Sequence, residues 1–179
     1  MMMSFLLPGC SKTDNTLEQI NQLRNSVLSA NRCSFSSEIT ADYGDEIYSF
    51  TVNCTADSDG NMTFEVIEPT EIKGITGQFG DNYSDITFDG HVLAFPRLSD
   101  GLVTPVSAPW IFMKALRSGY IYGCSNNAGQ SQYLINDTYE DDPLELSLWL
   151  NESDLPVAAE ITWQGRRVLT LEIKDFVIL

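Results

Sequence analysis

The stretch Thr104–Tyr120, TPVSAPWIFMKALRSGY, decides how the rest of the chain is read. It predicts a short helix over about 108–117. Ser107 stands where an N-cap belongs, and Pro109 falls in the first turn, where backbone N–H groups lack helical partners anyway. Arg117 sits in the last turn and Gly119 just past it, a normal stop. Trp110, Ile111, Phe112, Met113, Ala115 and Leu116 leave hardly any polar circumference. A helix of that kind has to be covered on more than one side.

What surrounds it reads as strand. Upstream, Cys33–Asp42 alternates through Phe35, Ser37, Ile39 and Ala41. The segment Ile47–Ala56 alternates through Tyr48, Phe50, Val52 and Cys54. A two-residue Gly44-Asp45 turn pairs Ile39 with Phe50 and Phe35 with Cys54, so like faces meet. At Ser58-Asp59-Gly60 a two-residue turn would set Cys54 against Glu65. A three-residue loop with Gly60 left-handed sets Cys54 against Phe64 and Val52 against Val66, and is therefore expected. Further strands are expected over 72–79, at 86–88 and 91–95 as a hairpin about Asp89-Gly90, and at 120–124. Four more finish the chain, over 133–139, 144–150, 157–163 and 168–176. Ahead of them all, Thr16-Leu17-Glu18-Gln19 has the form of a capping box. Leu17, Ile20, Leu23, Val27 and Leu28 then recur at helical spacing. The fold class that follows is α+β, mostly antiparallel β. It is a single curved sheet with an N-terminal helix and a central apolar helix over its concave face.

The totals narrow the function. The chain has 179 residues with 25 acids against 10 bases, a formal charge of −15. Nucleic-acid partners need basic stripes that it lacks. A catalytic base is hard to find. The single histidine, His91, flanks a turn, and no Gly-x-Ser-x-Gly, phosphate loop, dinucleotide fingerprint or zinc spacing occurs. Asp57–Asn61 resembles the start of a calcium loop, but Met62 stands where such a loop requires glycine. The expectation is a non-enzyme without cofactor or metal. Cys33 and Cys54 fall on one face, one diagonal step apart, so a disulfide between them and a pair of buried free thiols both stay open.

The start of the chain adds a tether. Leu7-Pro8-Gly9-Cys10 resembles the lipobox of bacterial lipoproteins, which implies cleavage before Cys10 and lipid on that residue. Only nine residues precede Cys10 and none is Lys or Arg, so a longer signal peptide with an upstream start is expected. Residues 1–15 are then truncated signal, lipobox and polar tether, and 16–179 the folded domain. The domain is expected outside the cytoplasm, anchored to the bacterial membrane.

The order of anchor, amphipathic helix, meander, apolar helix and second meander resembles the periplasmic lipoprotein carriers and their membrane receptors, the LolA/LolB-like fold. So do the phrases Phe64–Pro69, Ile86–Gly90 and Leu155–Ile161. The resemblance implies an unclosed β-barrel whose helices cap an apolar hollow that takes acyl chains. The candidate lining is Phe35, Ile39, Phe50, Val52, Phe64, Val66, Ile86 and Phe88 from the sheet, with Trp110, Phe112, Met113 and Leu116 from the helix. An ordinary filled core accounts for the same residues. The carriers' latch arginine on an early strand has no counterpart, since 33–72 contains no Arg or Lys. Cys10 makes the chain more like an anchored receptor than a shuttling carrier. The expected partners are a lipid or acyl ligand and the membrane, and alternatively a cell-envelope protein such as a cell-wall enzyme.

Overall fold

The computed structural model describes residues 11–81, 83–88, 91–92, 103–127, 130–139 and 142–179. Cys10, the Asp89-Gly90 turn and the expected strand residues 93–95 lie outside them.

Helix α1 spans Ser11–Ser29. Strands β1 (Arg32–Asp42), β2 (Ile47–Asp57) and β3 (Met62–Glu68) follow as a meander, then β4 (Thr76–Gly80), β5 (Tyr83–Phe88) and β6 (His91–Val92). A 3-10 turn, Pro105–Ser107, leads into helix α2, Ala108–Ser118. The second meander is β7 (Tyr120–Asn127), β8 (Gln130–Asn136), β9 (Glu145–Leu150), β10 (Pro156–Trp163) and β11 (Arg166–Ile178). All neighbours pair antiparallel in one 11-stranded sheet of order β6-β5-β4-β3-β2-β1-β11-β10-β9-β8-β7. Among the described residues no pairing joins β6 to β7, so the sheet is not closed.

Both turn arguments hold. Ile39 faces Phe50 and Phe35 faces Cys54, while Cys54 faces Phe64 and Val52 faces Val66. Gly60 has φ +89°, the left-handed conformation that the three-residue loop demands and that glycine enters without a Cβ penalty. The inner face carries Phe35, Ile39, Val52, Phe64 and Val66, all buried. On β11 the alternation of Leu169, Leu171 and Ile173 breaks near Asp175, whose φ is +53°. The register with β1 slips between Ser34 and Ser36. That bulge turns Phe176 inward, where its ring stacks on Phe35 at 5.6 Å.

Several expectations are corrected. Helix α1 begins at Ser11, not at a cap on Thr16: it runs straight through the polar residues read as a tether, and Thr16 is buried within it. Ser107 does not cap α2, because it is itself helical in backbone and its hydroxyl turns back to the Thr104 carbonyl at 2.7 Å. The strand expected from Ile72 begins only at Thr76. Residues 69–75 make turns, with Ile72 N–H bonded to the Pro69 carbonyl and Gly74 at φ +88°. Cys33 and Cys54 are free thiols, both buried. Cys33 is opposite Ala56 and Cys54 opposite Phe35. Such diagonal positions sit roughly 7–8 Å apart, beyond the reach of a disulfide.

Gly119 ends α2 for want of space. Its φ of −65° is open to any residue. An added Cβ would meet Ile135 Cγ2 at 2.5 Å and the carbonyl oxygens of Ala115 and Asn136 at 2.7 Å. Backbone cannot give way as a flexible side chain can. Gly119→Ala is expected to cost about 1–3 kcal/mol, read as a lower urea midpoint at unchanged slope.

Candidate functional site

Helix α2 is the hub of the inner face. Phe112 is fully buried, edge-on to Phe35 at 5.6 Å and to Phe176 at 6.2 Å. Met113 and Leu116 are equally inaccessible. Trp110 is half-buried, stacked on Phe79 at 6.2 Å with the Lys114 ammonium 5.1 Å from its ring centre. Of the residues assigned to the hollow, Phe35, Ile39, Phe50, Val52, Phe64, Val66, Ile86, Phe112, Met113 and Leu116 are buried in one cluster, with Trp110 packed against it. Phe88, at the β5 end of the sheet, is 40% exposed instead.

Two arginines pin the C-terminal end of α2. From α1, Arg24 donates to the carbonyls of Leu116 (2.7 Å), Gly119 (3.0 Å) and Ala115 (3.4 Å). The Leu116 carbonyl is one that a helix end leaves without a helical partner, and a cation there also suits the helix dipole. Burial pulls the Arg24 guanidinium below its usual range. From α2 itself, Arg117 donates to the Ser58 carbonyl at 2.7 Å and lies against Gly60 in the β2–β3 loop. The N-terminal end of α2 is carried by the 3-10 turn, which packs on β1. On β1, Ser37 faces the same interior, fully buried, and its hydroxyl has no hydrogen-bond partner among the described residues.

Beside that turn the surface opens. A cleft of 640 Å³ is lined by Tyr43, Asp45, Glu46, Tyr48, Phe50, Ile72 and Pro105. Three segments build it: the β1–β2 turn, the turns after β3, and the 3-10 turn. The Tyr43 and Tyr48 rings meet edge to face at 5.6 Å. The Tyr48 hydroxyl donates to the Glu46 carboxylate, and this bond raises the Tyr48 phenol above its ordinary value. Burial does the same to Tyr43. Only Phe50 belongs both to this cleft and to the residues assigned from sequence. The rest went unnoticed because Ile72 and Pro105 are remote in sequence from the hairpin they meet; the exposed apolar pair Ile47-Tyr48 was the available signal.

His91 is exposed, and no metal-holding group of His, Cys, Asp and Glu occurs among the described residues. Asp57 spends its carboxylate on its own loop, accepting from the Asp59 and Asn61 N–H groups at 2.9 Å each. No described helix is long and apolar enough to cross a membrane.

The chain folds as an unclosed antiparallel sheet with an N-terminal and a central helix against it. No family model matches the chain, and no curated protein matches it. Among solved structures it is similar to a LolA superfamily protein from Nitrosomonas europaea. That match has 10% identity over 95% of this chain and 94% of that one, with a TM-score of 0.45. It is similar to the lipoprotein LppX of Mycobacterium tuberculosis at 12% identity, over 91% of this chain and 95% of that one, TM-score 0.43. A chain of the Pseudomonas aeruginosa MucA/MucB complex matches at 11% identity, over 91% of this chain and 56% of that one, TM-score 0.42.

Proposed function

We propose that the chain is a non-catalytic lipoprotein that holds an apolar ligand, a lipid or acyl chain, at the open end of the α2 core. The observation that carries this reading is the cleft at Phe50 and Pro105. Its 640 Å³ falls within the roughly 300–1,000 Å³ of small-molecule sites. Phe50 is 7% exposed and belongs to the inner face, so a chain entering the cleft extends a core already built. Binding is by apolar burial, about 25 cal/mol for each Å² removed from water. Lipid on Cys10 would hold the domain at the outer side of the bacterial cell membrane. The test is native mass spectrometry of the soluble Cys10→Ser protein with organic extraction. A co-purified lipid or acyl mass is the expected result. A bare protein mass that stays unchanged on adding lipids overturns the reading.

One observation favours a second reading, binding of a cell-envelope protein. Among the described residues strand β7 is a sheet edge, and Tyr120 and Tyr122 on it are 49% and 44% exposed, with Tyr139 5.6 Å from Tyr120. Edge strands accept an added strand from a partner. Under this reading Tyr122→Lys abolishes co-purification of the partner, while Tyr48→Leu at the cleft leaves it unchanged.

A further inference from the structure

The walls of the cleft differ in chemistry from those of a plain acyl tunnel. Its floor is Phe50, Ile72 and Pro105, and its rim is two tyrosines and two carboxylates. Asp45 and Glu46 are the charged groups among its described lining residues, and both are exposed at the rim. Arg166, beside the β1–β2 turn, is engaged elsewhere. It lies over Gly44 and donates to the Asp42 carbonyl at 3.0 Å and carboxylate at 3.2 Å. Lys73 neighbours Ile72 in sequence without lining the cleft. A cation seated at this rim meets two aromatic faces and two acids. An anion of the same size meets two like charges and π-electron density there.

We infer that the cleft selects an amphiphile with a cationic head, an alkylated ammonium on an apolar body, its chain on Phe50, Ile72 and Pro105 and its head between Tyr43, Tyr48, Asp45 and Glu46. This deepens the proposed function and rests on it. Alkylated ammonium suits the rim better than a bare ammonium, because its spread charge loses less hydration on leaving water for aromatic faces. A choline lipid headgroup and a free quaternary amine share this chemistry.

The test is calorimetric titration of the soluble Cys10→Ser protein with octyltrimethylammonium, octanoate, octyl glucoside and choline, all at physiological salt so that long-range attraction to the acidic surface is screened. Octyltrimethylammonium is expected to bind about tenfold tighter than octyl glucoside, with octanoate weakest. Tyr48→Leu, which keeps an apolar wall, and the pair Asp45→Asn with Glu46→Gln should each reduce that ratio several-fold. Equal binding of the three octyl compounds overturns the charge preference and leaves the apolar site standing. A preference that survives both variants places it outside the cleft and overturns the inference. Binding by none of the three overturns the apolar site as well. Choline binding as tight as octyltrimethylammonium overturns the amphiphile, whereas choline much weaker than the octyl cation supports it.

Discussion

Phe112→Ala is expected to lower stability by about 3–5 kcal/mol, the largest effect of any single truncation considered. The phenyl ring touches strands from both halves of the sheet, Phe35 on β1 and Phe176 on β11, and no water reaches it. Removing it forfeits the transfer energy of the ring and leaves a void that helix and sheet cannot both collapse into. Urea unfolding followed by far-UV circular dichroism measures the loss. Trp110→Ala is the comparison. Trp110 is only partly buried, so its truncation costs clearly less than that of Phe112. Equal losses would mean that α2 is not seated by its Phe112 face.

Arg24→Met is expected to cost about 2–3 kcal/mol, the range for hydrogen bonds made by a charged group at a partly buried site. Methionine keeps the stem that packs α1 on α2 and removes the fork that holds the last carbonyls of α2. The consequence is local before it is global. The amides of α2 should exchange hydrogen faster relative to those of β1 and β2, since the helix loses an end anchor and the sheet loses nothing. Uniform acceleration across α2 and the central strands would show that Arg24 acts on the whole fold and holds no one element.

The first three strands were legible because their turns are explicit. Gly44 and Gly60 fix the loop lengths, and once loop length is set only one register keeps Phe35, Ile39, Val52 and Phe64 on one side. Helix α2 was legible from its apolar circumference. The true start of α1 was not, since residues 11–15 carry no apolar residue and periodicity has nothing to register there. The turn around Gly74 hid between Ile72 and Ile75, where β-propensity and turn chemistry point opposite ways. The contact of Arg24 with α2 was out of reach for another reason. The resemblance directed attention to early strands, and the arginine comes from a helix 92 residues before the carbonyl it holds. The cleft was illegible on the same ground, being assembled from segments that no local pattern links. The exposure of Phe88 was out of reach because alternation assigns a face but not how far the cover over that face extends.

The pairing of β1 with β11 has a consequence for biosynthesis. Strand β11, which follows the other ten described strands in sequence, lies in the interior of the sheet, and Leu179 just beyond it is bonded through N–H and carbonyl to Arg32. Until 166–178 have left the ribosome, the emerging chain is two separate meanders, each with a raw edge where the other belongs. Pairing of strands so distant in sequence has to wait until β11 is made, so the two meanders join late.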